Sequence, residues 1–183
     1  GDGVFAVSSA GVITIADVTN LDYETTSSYT LTVVAYDASS SDVADVIVSI
    51  TDANDAPTVA TAIADASTAE DAAYSLDISS NFADADSGDV LSFSATGLPS
   101  SGNLAITTAG VISGTPLNAD VGAYTIVVTA TDDDSTPASV TDTYVLTVTN
   151  VNDPGSGLSL DSDGDVADPD EDDTLSVTGT LVD

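Results

Sequence analysis

The 183-residue sequence contains no lysine, arginine or histidine, and no cysteine, methionine or tryptophan. Each absence excludes a chemistry. Without lysine or arginine there is no phosphate clamp and no electrostatic grip on DNA, RNA or anionic lipid. Without histidine or cysteine there are no Ser-His-Asp triads, Cys-His pairs, zinc sites, haem ligands or disulfides. Without lysine there is no Schiff base and no P-loop. Long apolar runs are missing too; Ile126-Val127-Val128 is typical of the longest. No signal or membrane-spanning stretch is legible, and the reading is of a mature or excised piece of a larger exported protein with no direct membrane insertion.

What is present is acid. There are 31 acidic residues, 28 Asp and three Glu, for a formal charge of −31. Internal salt bridges cannot offset this, so a compact fold needs cations from solution. Carboxylates are hard oxygen ligands, which makes Ca2+ the natural partner, with Mg2+ or salt behind it. The composition is not that of an acidic tail. Apolar residues make up 42% of the chain, and Val, Ile, Leu and Thr recur with period two.

The sequence also repeats. Tyr29-Thr-Leu-Thr-Val-Val-Ala-Tyr-Asp37 matches Tyr124-Thr-Ile-Val-Val-Thr-Ala-Thr-Asp132 at an offset of 95, and Ser8-Ser-Ala-Gly-Val-Ile-Thr14 matches Thr107-Thr-Ala-Gly-Val-Ile-Ser113 at 99. Asp52-Ala-Asn-Asp55 matches Asn150-Val-Asn-Asp153 at 98, and Asp84 to Phe93 matches Asp168 to Val177 at 84. These are sandwich-domain lengths. Alternating segments separated by Gly, Asp, Asn and Pro every eight to twelve residues predict an all-β array of tandem Ig-like Greek-key sandwiches. Residues 57–153 read as one complete domain, 1–56 as the later part of another, and 154–183 as its early part. Leu91 to Gly110 spans 19 residues, and so does Leu175 through Asp183 and on from Gly1 to Gly11. The two outer fragments therefore close without a gap into one domain, with 154–183 completed by 1–56 of the next copy. That copy is either a further tandem repeat of a continuous chain or a separate head-to-tail subunit.

Several short motifs now resemble those of cadherin repeats: Leu21-Asp-Tyr-Glu24, Asp52-Ala-Asn-Asp-Ala-Pro57, Ala83-Asp-Ala-Asp86, and the strand-ending Asp37 and Asp132. The complete domain, with Gly110-Val-Ile-Ser-Gly-Thr-Pro116, is similar to the dystroglycan-type cadherin-like repeats of bacterial or archaeal surface proteins. The resemblance implies calcium at domain junctions. For junction one it implies Asp22, Glu24, Asp52, Asn54 and Asp55, with Glu70, Asp84, Asp86 and Asp132. For junction two it implies Asp120, Asn152, Asp153, Asp168 and Asp170, with Asp37 from the completing half. There Asn150 replaces an Asp and Pro154 falls on the Glu70 position, so weaker binding is expected. Independently, Asp84 and Asp86 are two apart and project to one side of an extended chain.

Other acidic motifs carry less. Asp161-Ser-Asp-Gly-Asp165 spaces carboxylates as an EF-hand does, but Val166 and Asp172 stand where Gly and Glu are required. Asp86-Ser-Gly88 has the form of an aspartic-protease signature without a second copy. No enzyme is expected. The resulting expectation is a calcium-rigidified repeat unit of an extracellular or cell-surface stalk or filament, in adhesion or biofilm, whose partners are further copies of itself. The alternative is a carbohydrate-binding module with glycan partners, although most of the six Tyr and three Phe fall at core-packing strand positions.

Overall fold

The computed structural model describes residues 3–152, together with the backbone of two short strands at 159–160 and 166–167. The described residues are strands, turns and two single 3-10 turns, with no α-helix. Strand follows strand because the apolar residues alternate. In Leu31-Thr-Val-Val-Ala-Tyr36 and Ile126-Val-Val-Thr-Ala-Thr131, every second side chain shares a face.

Residues 57–152 form a two-layer sandwich. Its strands are β5 (Thr58–Val59), β6 (Ala66–Ala69), β7 (Tyr74–Asp77), β8 (Phe82–Ala83), β9 (Ser92–Thr96), β10 (Ala105–Ile106), β11 (Val111–Gly114), β12 (Gly122–Thr131) and β13 (Ser139–Thr149). One sheet runs β6-β13-β12-β9 and the other β10-β11-β7; β5 pairs with β8 at the edge. The chain changes sheet after β6, returns to the first sheet by β9, crosses again between β9 and β10, and comes back between β11 and β12, which gives the Ig-like Greek-key arrangement. β6 runs parallel to β13, Ala66 opposite Leu146 and Ala69 opposite Thr149, while the other pairs are antiparallel. The core is Ile78, Phe82, Phe93, Leu104, Ile112, Ile126, Val128, Ala130, Tyr144 and Leu146. Ile126, Val128 and Ala130 are the inward set of β12 and are fully shielded from solvent. Burial of each large side chain stabilises the fold by about 1.5–3 kcal/mol.

Residues 3–56 hold β1 (Phe5–Val7), β2 (Ile13–Ile15), β3 (Ser28–Tyr36) and β4 (Ser41–Ser49), arranged as two separate hairpins. They reproduce the pairing of the later hairpins of the sandwich, although the β3–β4 loop, 37–40, is shorter than the β12–β13 loop, 132–138. Val7 pairs with Ile13 as Ile106 pairs with Ile112, and Tyr29 pairs with Val48 as Tyr124 pairs with Leu146. The β1–β2 turn coincides with the β10–β11 turn. Gly11 and Gly110 both take positive φ, 79° and 89°, where only glycine is at ease. Val12 N–H and Val111 N–H both reach back to a hydroxyl, Ser8 Oγ and Thr107 Oγ1, each at 3.1 Å.

The two halves differ in burial. Tyr144 is 1% exposed, but Val46, at the same place on the matching strand, is 36% exposed. Ala130 is fully buried and its counterpart Ala35 is exposed. Among residues 3–56 only Val4 belongs to the fully buried apolar set; Phe5 stacks edge-on against Tyr29, with centroids 5.1 Å apart. β14 (Ser159–Leu160) and β15 (Val166–Ala167) pair with each other.

Candidate metal centre

Pro57 is buried at the start of the sandwich, and the preceding segment 51–56 is linker without regular secondary structure. Three features meet around it: the Asp22–Glu24 turn, the 84–90 loop after β8, and the β12–β13 hairpin. In that hairpin Asp132 accepts the Ala138 N–H on both carboxylate oxygens, at 3.0 and 3.1 Å. Asn54 Nδ2 donates to Asp132 Oδ2 at 3.2 Å, and the Asp55 N–H donates to Asp86 Oδ2 at 2.7 Å. The Asp86 N–H in turn donates to Asp84 Oδ1 at 3.1 Å. The linker is thus laced to the loop and to the hairpin.

Two acid triads result. Carboxylate oxygens of Glu24, Asp52 and Asp86 lie within 4.8 Å of one another, and so do those of Asp84, Asp89 and Asp132. Asp84 Oδ2, Asp86 Oδ1 and Asp89 Oδ2 are buried atoms without a hydrogen-bond partner. Buried acceptors left bare are costly, and no residue of the chain carries a positive charge to offset them. The strain shows in the acidities. Loss of water, then the negative charges of Asp133, Asp86, Asp84 and Asp132, push the Asp89 carboxyl above the usual range. Glu24 is lowered by its own backbone N–H, but partial desolvation, a hydrogen bond shared with the Asp22 carboxyl, and the negative charges of Asp52 and Asp55 carry it above the usual value. The donor set suits a hard divalent cation, which takes six to eight oxygens. Asn54 supplies a further side-chain carbonyl on the spot.

Not every residue expected at junction one is brought there. Asp22 uses its carboxylate inside its own turn: Oδ1 accepts the Glu24 N–H at 3.0 Å and Oδ2 the Thr25 hydroxyl at 2.8 Å. It orients Glu24 and is not part of either triad. Asp55 contributes its backbone N–H. Glu70 is a correction: it sits at the opposite end of the sandwich. Its N–H donates to Thr149 O at 3.0 Å, and its Oε1 accepts the Val151 N–H at 2.6 Å. The reason is topological. β6 runs parallel to β13 and carries Glu70 to the end where β13 leaves the domain, about ten residues of strand, or ~33 Å, from Asp132. Glu70 is 1% exposed and its Oε2 is a buried acceptor without a partner.

Asp89 is the member the motif reading missed. A signal existed: at the offset of 84, Asp84 and Asp89 both fall on acids, Asp168 and Asp173.

At the Glu70 end, Asp120 is buried and both oxygens face the interior, accepting the Ser101 N–H and the Leu117 N–H at 3.0 Å each. It closes the 101–117 loop through these two bonds. Asn152 is exposed. Asp37 folds onto its own hairpin; the Ser39 and Ser40 N–H groups, both at 2.7 Å, hold its carboxyl down at about 2. Asp153, Asp168 and Asp170 lie outside the described residues.

Burial alone would push the Asp120 carboxyl up, but the Leu117 and Ser101 N–H groups outweigh it and leave it below the ordinary value. A depressed carboxylate stabilises the fold above its unfolded pKa, near 3.9, and that contribution is lost as pH falls through the folded value. Asp120→Ala should cost about 1–3 kcal/mol at neutral pH, because two N–H groups lose their acceptor. Urea unfolding at pH 7 and pH 3 checks this; the gap between variant and parent should narrow at the lower pH.

The exposed aromatics Tyr23 and Tyr36 make none of the described ring contacts, which are Phe5–Tyr29 and Phe82–Phe93. No helix among the described residues is long and apolar enough to cross a membrane.

Comparison with known proteins agrees with this architecture. A fragment of mouse cadherin-23, repeats EC22-24, superposes with a TM-score of 0.63 at 24% identity, covering 82% of this chain and 51% of that one. Extracellular cadherin domains 1–5 of protocadherin gamma B2 give 0.65 at 20% identity, covering 84% and 32%. Drosophila N-cadherin EC1-4 gives 0.59 at 24%, covering 82% and 39%. The chain thus spans about half of the first fragment and about a third of the second. No curated protein sequence matches. The family model described as Putative Ig domain matches residues 56–149, just over half of the chain. The chain belongs to that Ig domain family, folded as a cadherin-like repeat.

Proposed function

We propose that the chain is a calcium-rigidified structural repeat of an extracellular stalk or filament, serving adhesion or biofilm, and not a catalyst. The observation that carries this reading is the pair of acid triads at the linker, with three buried, unpartnered carboxylate oxygens and no cation in the sequence. Glu24, Asp52 and Asp86 would hold one ion and Asp84, Asp89 and Asp132 another, with Asn54 beside them. Bound Ca2+ would supply charge compensation and tie the Glu24 turn, the linker and the sandwich into one unit. Extracellular modules bind calcium at roughly 10⁻⁴–10⁻³ M, so such a joint would stiffen only after export. Glu70 gives the far end of the sandwich a buried carboxylate oxygen of its own, and junction two is reassigned accordingly: Glu70 belongs there, with Asn152, Asp153, Asp168 and Asp170.

The test is X-ray scattering with a parallel calcium titration. In calcium the chain should show a longer, narrower distribution of interatomic distances than in EDTA, and titration should reveal millimolar or tighter binding. Unchanged scattering with no calcium uptake would overturn the reading.

A further inference from the structure

The outer side of the sheet β6-β13-β12-β9 differs from the rest of this acidic chain. Its rows follow from the strand register. Ser94 lies opposite Thr129 and Thr129 opposite Thr141; Thr96 lies opposite Val127 and Val127 opposite Thr143. Along their strands these residues alternate with the buried Phe93, Val128 and Tyr144, so they face away from the core. The chain carries 31 acids, yet none points out from these four strands. Their one acid, Asp142, lies opposite the buried Val128 on the inner side, where it accepts the Ile63 N–H at 2.7 Å. Low strand propensity does not by itself keep acids off such faces, since Asp77 of β7 and Asp45 of β4 are exposed on theirs.

Two copies of a chain with a formal charge of −31 and no cation repel wherever acids face each other. A charge-free face is where they can meet. Its chemistry is also self-complementary. Each Ser or Thr hydroxyl both donates and accepts, whereas an ionised carboxylate only accepts, so the face can satisfy an identical face. At its margins the Ser92 and Thr149 hydroxyls donate to Thr131 O and Thr68 O, each at 3.2 Å. Those of Ser94, Thr129, Thr141 and Thr143 make no hydrogen bond among the described residues.

We infer that the outer face of β6-β13-β12-β9 is a side-by-side contact surface for the same face of a second copy of this chain. A two-fold axis sets like against like, with Thr129, in the middle of a three-strand row, beside the axis. The face measures at most roughly 600 Å², four strands at ~4.8 Å by ten residues at ~3.3 Å, against ~800 Å² for each partner of a standard interface. One pair of sandwiches therefore associates weakly, and contacts repeated along a stalk add up. The contact goes beyond the proposed function: it uses no residue of either acid triad and needs no calcium.

The test is sedimentation equilibrium of the full chain in EDTA, up to about 1 mM protein, in low salt and in ~1 M NaCl, where the screening length is ~3 Å. Mass should climb with concentration, and more steeply in high salt, because the contact is neutral and its surroundings repel. Thr129→Asp sets like charges against each other across the axis and should weaken association at least about tenfold. Ser113→Asp is the control. It adds the same charge at an exposed position on the middle strand of the other sheet, between Ser75 and Ala105, and should leave association unchanged. A parent chain that stays monomeric throughout would overturn the pairing. So would association that both variants weaken alike, or that Thr129→Asp leaves intact. Asp is a poor strand former, so single-cysteine chains give a second reading, the sequence having no cysteine of its own. On oxidation, disulfide-linked dimer from Thr129→Cys should exceed that from Ser113→Cys by about tenfold, since paired faces hold the thiols at millimolar effective concentration. Equal yields would sink the proposal.

Discussion

Ile126→Ala should lower the stability of the 57–152 sandwich by about 2–5 kcal/mol, the range for emptying a packed aliphatic site. Ile126 is wholly buried among Ile112, Val128 and Leu146 in one core. For a domain of this size that is a fall in melting temperature of at least about 10 °C. Leu31→Ala removes the matching side chain of β3 and should shift the melting temperature of dilute chain little. Leu31 is only half-buried there. Calorimetry of both variants over a concentration series distinguishes a closed sandwich from an open one. Equal losses for the two in dilute solution would mean that residues 3–56 close a core by themselves.

Calcium should raise the melting temperature of metal-stripped chain, and Asp86→Asn should remove about half of the rise. With dissociation constants of 10⁻⁴–10⁻³ M, about 10 mM calcium stabilises the fold by ~1.4–2.7 kcal/mol per site. Asp86 is placed to matter most. One of its oxygens is bare and buried, the other accepts the Asp55 N–H, and its neighbours in the triad are Glu24 and Asp52. The sign in EDTA is the sharper check. There Asp86→Asn removes one of several crowded like charges, so the variant should match or exceed the parent. A variant equally destabilised with and without calcium would mean that Asp86 is a loop fastener only. Thermal scans of both proteins in each buffer suffice.

The fold was largely legible because its period is written in side chains. Leu31, Val33 and Ala35 alternate as Ile126, Val128 and Ala130 do, and Ala-Gly-Val-Ile recurs where a positive-φ glycine turns both hairpins. Most of the linker site was legible as well, since Asp84 and Asp86 in one loop and Asp52 and Asn54 in the linker need only short-range geometry to converge. Glu70 was not. It lies 13 residues beyond Pro57, which reads as proximity, but those residues run the length of the sandwich. Which end a first strand reaches depends on pairing with a last strand nearly 80 residues on. The surroundings of Asp120 were not legible for a related reason. Its spacing from Asn118 repeats that of Glu24 from Asp22, yet burial turns it inward, where backbone N–H groups claim both oxygens. Spacing records which residues recur, and only packing decides whether a carboxylate faces in or out.

The parallel pairing of β6 with β13 also governs how the sandwich would carry tension. The linker enters at Pro57 beside Asp132, and the chain leaves at Val151 beside Glu70, so a pull on the two ends acts along the strands. The hydrogen bonds between Ala66–Ala69 and Leu146–Thr149 lie across that direction. They are loaded together in shear and must fail as a set, unlike a hairpin pulled from its open end, which unzips one bond at a time. A string of such units would resist stretching well beyond what the stability of one domain suggests.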